Sequence, residues 1–168
     1  MKHSNSIAAQ TLPVTGILTN ALADVMAMYI KAREIPWTVT GNSFLELENM
    51  LEDRSIKLEE AIEEIAVRKN NSGSPVSGTL ESFLQYASLN VAMARCDDNY
   101  SIMKELLTDH DIIIKGLQKN IDDCYKKHED RSTADFLKKQ IGKQEAIAYK
   151  LRMCLNNEEK NIIHQIAC

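Results

Sequence analysis

The stretch KNNSGSPVSGTLESFLQYAS, Lys69 to Ser88, decides the fold. Its first half, with Asn, Ser, Gly and Pro, stops the helix that precedes it. Its second half, Thr79 to Ala87, reads as a short helix of its own. Some twenty residues reach roughly 60 Å when extended, whereas a helix of about 28 residues is roughly 42 Å long. The connection therefore has the reach to carry the chain back along a long helix, so that the helices on either side of it run parallel.

The segments around it are helical by period. In the first, Leu18, Leu22, Val25, Tyr29 and Ala32 step by three and four. The second carries Phe44, Leu47, Leu51, Leu58, Ile62 and Ile65, with Ser55 in its gap. Met103, Leu107, Ile114, Leu117, Ile121, Cys124 and His128 mark the third; Leu137, Ile141, Ala148, Leu151 and Leu155 mark the fourth, which Gln144 interrupts. Each has one apolar face to bury. Gly41 ends the first helix, and Ser43 with Glu46 forms a capping box for the second. Ser132 and Asp135 in RSTAD are the expected cap of the fourth. Tight turns near Gly41 and Asp130 make their flanking helices antiparallel. The expected fold is all-α: a ferritin-like four-helix bundle with one long crossover carrying a short helix. The expected bounds are a tail over 1–14, the bundle over 15–157 and a second tail over 158–168.

Composition narrows the function. The net charge of −4 argues against sequence-independent DNA coating by the body of the protein. Cys96, Cys124, Cys154 and Cys168 form no Cys-x-x-Cys pair, a pattern of reduced thiols in a cytosol. With no signal-like or membrane-length apolar run, the expectation is a soluble cytoplasmic protein. Cys124 and His128 lie one turn apart on an apolar stripe, where packing outweighs a thiolate pair. Met26, Met28, Met93 and Met103 read as fillers of core or interface.

Ferritin-like di-iron centres use Glu-x-x-His on facing helices, and none of His3, His110, His128 and His164 stands three residues after a Glu. Glu59, Glu60, Glu63 and Glu64 read as a solvated face. Glu48 and Glu52 differ in being one turn apart beside the stripe of Phe44, Leu47 and Leu51.

Trp37-x-x-x-Gly41-x-x-Phe44, followed by EEIAVRK, resembles the Dps family of mini-ferritins. So do ILTNALADVMAMYIKAREIPW, GTLESFLQYASL, DRSTADFL and KQEAIAYKLRMCL, in that order, over residues 14 to 156. The resemblance implies a cage of twelve identical subunits, iron as the bound metal, and a ferroxidase centre shared between two subunits. That family builds its centre from two His, two Asp and a Glu. Here Pro36 and Glu48 stand at the His positions, Glu52 and Glu63 at the Asp positions, and Val67 at the Glu position, with Arg68 retained. Oxygen donors survive at Glu48, Glu52 and Glu63, and such hard ligands hold Fe(II), Mn(II) or Mg(II). Trp37 is expected to pack, and Val67 to make the site drier. Asp130 and Asp135 fall where the family places acidic ion-entry pores.

The implied function is an iron-storing mini-ferritin that limits oxidative stress, with ferroxidase activity weakened or lost. The alternative is a ferroxidase-inactive cage acting as a structural or DNA-associated particle. A carrier of Mn(II) or Zn(II) is a third reading.

Overall fold

The computed structural model describes residues 13–38, 44–90 and 98–166. Gly41, Ser43, Met93, Cys96, Cys168 and His3 lie outside them, as do the side chains of Pro36, Trp37, Phe44, Glu46, Leu47, Glu48 and His164. The described residues form α1 (Val14–Thr38), α2 (Phe44–Asn71), α3 (Leu80–Tyr86), α4 (Asn99–Lys126) and α5 (Arg131–Ile166), with no strand among them. α5 continues past the expected boundary at 157.

Two apolar clusters set the topology. One joins Leu18 and Leu22 of α1 to Leu58 and Ile65 of α2, Leu117 and Ile121 of α4, and Leu137 of α5. The other joins Ile35, Leu51, Ile102 with Leu106, and Leu151 with Leu155. The start of α1 thus shares a bundle end with the late parts of α2 and α4. The two connected pairs are antiparallel, and α2 runs parallel to α4, as the crossover requires. Thr79 caps α3 by accepting the Ser82 N–H. The hydroxyl of Ser88 donates at 2.8 Å to Asp24, fastening the end of the crossover to α1.

The α4–α5 turn contains no glycine. Glu129 takes φ of 53°, the left-handed region that non-glycine residues rarely adopt. The Asp130 N–H donates back to the Cys124 carbonyl at 3.0 Å, closing the end of α4. Asp130 then caps α5, its carboxylate accepting the Thr133 N–H at 2.9 Å. The cap expected at Ser132 and Asp135 lies too late, because both fall inside α5.

Between the two apolar clusters lies a polar layer. Lys31 of α1 is 2% exposed and donates to Asp109 at 2.8 Å and Glu105 at 3.1 Å, both on α4. Arg54 of α2, also buried, donates from Nε to His110 Nε2 at 3.0 Å. Because Nε2 accepts, the ring proton sits on Nδ1 and is given to Gln144 Oε1 of α5 at 2.8 Å. Every long helix thus contributes to one layer. Burial draws the Arg54 guanidinium down to about 10, against the pull of Asp109, so it stays charged at neutral pH. Its two terminal nitrogens meet no hydrogen-bond partner among the described residues.

Burial first, and the Arg54 cation second, hold His110 well below its usual range, against the Gln144 bond that favours the charged ring. A histidine depressed in the folded state stabilises it fully above the unfolded pKa, near 6.5, and ever less as pH falls below that value. Carboxylates held low, such as Asp53 and Asp98, lose their contribution only in the more acidic range below their ordinary pKa. Urea titrations should therefore show unfolding free energy dropping by about 1 kcal/mol between pH 6.5 and 5.5, with the drop absent in a folded His110→Gln variant.

Removing Lys31 leaves Asp109 buried and unpaired. Lys31→Met should cost about 3 kcal/mol, whereas Lys57→Met, which breaks the exposed 2.9 Å pair with Asp53, should cost less than about 1 kcal/mol in the same denaturation assay.

Candidate metal centre

The acidic residues of α2 divide by direction. Asp53 accepts from Lys150 of α5 at 2.8 Å and Lys57 at 2.9 Å. These two bonds, Lys150 first, hold its carboxyl below the ordinary value. Glu64, about two turns short of the helix end, meets Lys143 at 2.7 Å and Gln140 at 2.7 Å. The Lys143 bond outweighs burial and keeps Glu64 low as well. Glu64 is thus exposed, as expected for a solvated face, and at the same time joins the α2–α5 seam.

Glu52 and Glu63 immediately precede these seam residues and turn away from them. Both are exposed, and neither has an ion-pair or hydrogen-bond partner among the described residues. With Ile56 and Val67 they fall on one stripe of α2, opposite the buried Leu58, Ala61 and Ile65. Ile56 is 54% and Val67 56% exposed, large for apolar side chains on a charged helix. Val67 therefore belongs to the outer stripe, whereas Ile65, two residues before it, sits in the core. Glu48 stands one turn before Glu52 on the backbone of α2.

Eleven residues of helix separate Glu52 from Glu63, about 16 Å at 1.5 Å per residue. One ion cannot bridge them within a chain.

The bundle interior presents a different chemistry. Where a di-iron bundle needs facing carboxylates, this one places Lys31 and Arg54 beside Asp109 and His110. Among the described residues no group of three or more His, Cys, Asp and Glu is arranged to hold a metal.

The two residues proposed for ion entry are both engaged. Burial works to raise the Asp130 carboxyl, but the Thr133 hydroxyl and N–H, with the Arg68 charge, outweigh it and hold it low. Asp135 accepts from the Tyr125 hydroxyl at 2.8 Å and pairs with Lys138 at 3.4 Å. Arg68 Nη2 reaches Ser132 at 3.0 Å and Thr133 at 2.9 Å, tying the end of α2 to the start of α5. Cys124 is wholly buried, as packing requires, while Met28 and Met103 fill the core. No described helix is long and apolar enough to cross a membrane.

The buried five of the polar layer, Lys31, Arg54, Asp109, His110 and Gln144, escaped the sequence reading. Their trace was the seven-residue gap between Leu107 and Ile114 in the third stripe, level with the interruption at Gln144 in the fourth.

A family model described as a ferritin-like domain matches residues 16–161. An uncharacterized low temperature-induced protein of Nostoc sp. is 30% identical over 145 residues, 86% of this chain and 81% of the relative. Dps from Listeria monocytogenes superposes with a TM-score of 0.80 at 21% identity, covering 88% of this chain and 96% of that one. The Dps protein of Vibrio cholerae, described as a member of a broad superfamily of ferritin-like diiron-carboxylate proteins, gives 0.76 at 22% identity, covering 84% and 88%.

The cap and the surface pair give Asp130 and Asp135 different weights. Asp130→Ala should lower unfolding free energy by about 1 kcal/mol; Asp135→Ala, which breaks an exposed pair, should lower it by less than about 0.5 kcal/mol. Equal losses in thermal or urea unfolding would contradict the assignment of Asp130 as the cap.

Proposed function

Because the chain belongs to the ferritin-like family, we propose that it is a Dps-like mini-ferritin, a self-assembled cage that stores iron and limits the reaction of Fe(II) with peroxide in the cytoplasm. The observation that carries this is the outer stripe of α2. Two unpaired carboxylates there flank exposed apolar residues, while their immediate neighbours are spent on the α2–α5 seam.

Fe(II) is the substrate of this site. In a two-fold pair, Glu52 of one copy faces the partner's Glu63, and Glu48 stands one turn before Glu52 on the backbone of α2. These oxygen donors suit a hard cation, and the developing Fe(III) is harder still. Each Fe(II) gives one electron: two of them, with two protons, reduce one peroxide to two waters, and four, with four protons, reduce one dioxygen to two waters. The chain's own part is to collect the cations and to hold carboxylate charge against the higher oxidation state. Without imidazole, and with hydrocarbon at Val67, the site binds more weakly than a mixed His and carboxylate set.

Exposed Leu80 and Leu84 of α3 stand near an apolar hollow of about 240 Å³ lined also by Ala23, Ala27 and Ile30 of α1. This second unpartnered surface supports self-assembly, for which twelve identical copies is the proposed number. Asp130 and Asp135 are the proposed acidic approach for cations. The surplus negative charge sets the surface against DNA phosphates.

Val67 favours a second reading, a cage that has lost oxidation and serves as passive store or DNA-associated particle, because no donor atom is available at that position. Fe(II) oxidation by the assembled protein, first with dioxygen and then with peroxide, separates the two. Oxidation above buffer, with iron eluting in the cage, is expected. Glu52→Gln should slow it roughly ten-fold, in line with the loss of a charged ligand, and Glu145→Gln on exposed α5 should not. A rate equal to buffer, or an unaffected Glu52→Gln cage, would sink the catalytic reading.

A further inference from the structure

A crevice of about 690 Å³ opens between the start of α1 and the crossover with α3. That is the size of sites that take small organic molecules, and far more than a bare ion needs. Lys69, at the end of α2, lines it while being only 6% exposed. Its ammonium gives one hydrogen bond, to the Pro75 carbonyl. An ammonium carries three N–H donors, and no carboxylate lies within ion-pair distance of this one among the described residues. The carboxylate of the crevice, Glu81, is exposed and does not pair with it.

A buried cation without a counter-anion calls for an anionic ligand. The rest of the lining says which kind. Thr15 and Asn20 come from α1, Ser74 from the crossover and Gln85 from α3, all uncharged side chains able to give and accept hydrogen bonds. A tetrahedral oxyanion offers more acceptor oxygens than a carboxylate, and the remaining volume calls for further polar groups beyond it. We propose that this crevice binds a small hydroxylated phosphate monoester, with the phosphate on Lys69 and the hydroxyls on Thr15, Asn20, Ser74 and Gln85. This assignment does not draw on the iron reading.

Isothermal titration of the full assembled protein with glucose 6-phosphate, glucose and inorganic phosphate tests it. Glucose 6-phosphate should bind, with glucose and inorganic phosphate each at least about ten-fold weaker, since each lacks half of the contacts. Lys69→Met should weaken glucose 6-phosphate by about ten-fold or more, the effect of losing a charge-assisted bond. Glu81→Gln, which removes an exposed negative charge and leaves Lys69 in place, should tighten it about two-fold. No binding of glucose 6-phosphate, equal affinity for glucose, or equal affinity for inorganic phosphate would overturn the proposal. So would a folded Lys69→Met protein with unchanged affinity. Should Lys69→Met fail to fold, unchanged affinity in Glu81→Gln overturns it.

Discussion

Two cations buried at mid-bundle constrain everything around them. Lys31 and Arg54 come from neighbouring helices, their partners Asp109 and His110 come from α4, and Gln144 of α5 holds His110 in turn. A buried charge tolerates no loss of its partner, so the four helices must meet at one height and in one register. Sliding α5 by a turn would take Gln144 from the histidine and leave a polar ring against hydrocarbon. The apolar clusters above and below supply most of the burial, yet neither fixes register alone, since Leu, Ile and Ala stripes repeat every turn. The layer gives up some stability, visible in the unpartnered ends of Arg54, and supplies uniqueness of packing.

The outer surface follows from that inner order. With register fixed, Asp53 and Glu64 fall beside lysines of α5, and the residues just before them are turned to solvent. The same helix therefore closes the bundle along one edge and offers a free acidic stripe along another. The crossover adds a second outer surface, because α3 is short, capped by Thr79 and fastened to α1 through Ser88 and Asp24.

Much of the fold was legible. The length of Lys69 to Ser88, the tight turn at Asp130 and the 3.6-residue stripes imply one crossover and a parallel α2 and α4, and the clusters agree. Local rules failed at one cap, because a left-handed Glu129 closes α4 early and makes Asp130 the first acceptor for α5. The polar layer was hidden for a deeper reason. A periodicity search counts apolar residues, so His110 and Gln144 register as gaps, and only tertiary contact reveals that two gaps fill one another. At the candidate site the sequence marked Glu52 and Glu63, but not that Glu64, adjacent to Glu63, is withheld by Lys143. Side-chain pairing across helices has no signature within a single segment.

The spacing of Glu52 and Glu63 along α2 carries a genetic consequence under the shared-site reading. Each chain holds two half-sites and no whole one, and a two-fold pair holds two whole ones. A copy lacking Glu52 paired with a copy lacking Glu63 would place both lesions in one site and leave the other intact. Two inactive alleles would then complement each other when assembled together, up to half of the full activity, whereas two copies of either allele would not.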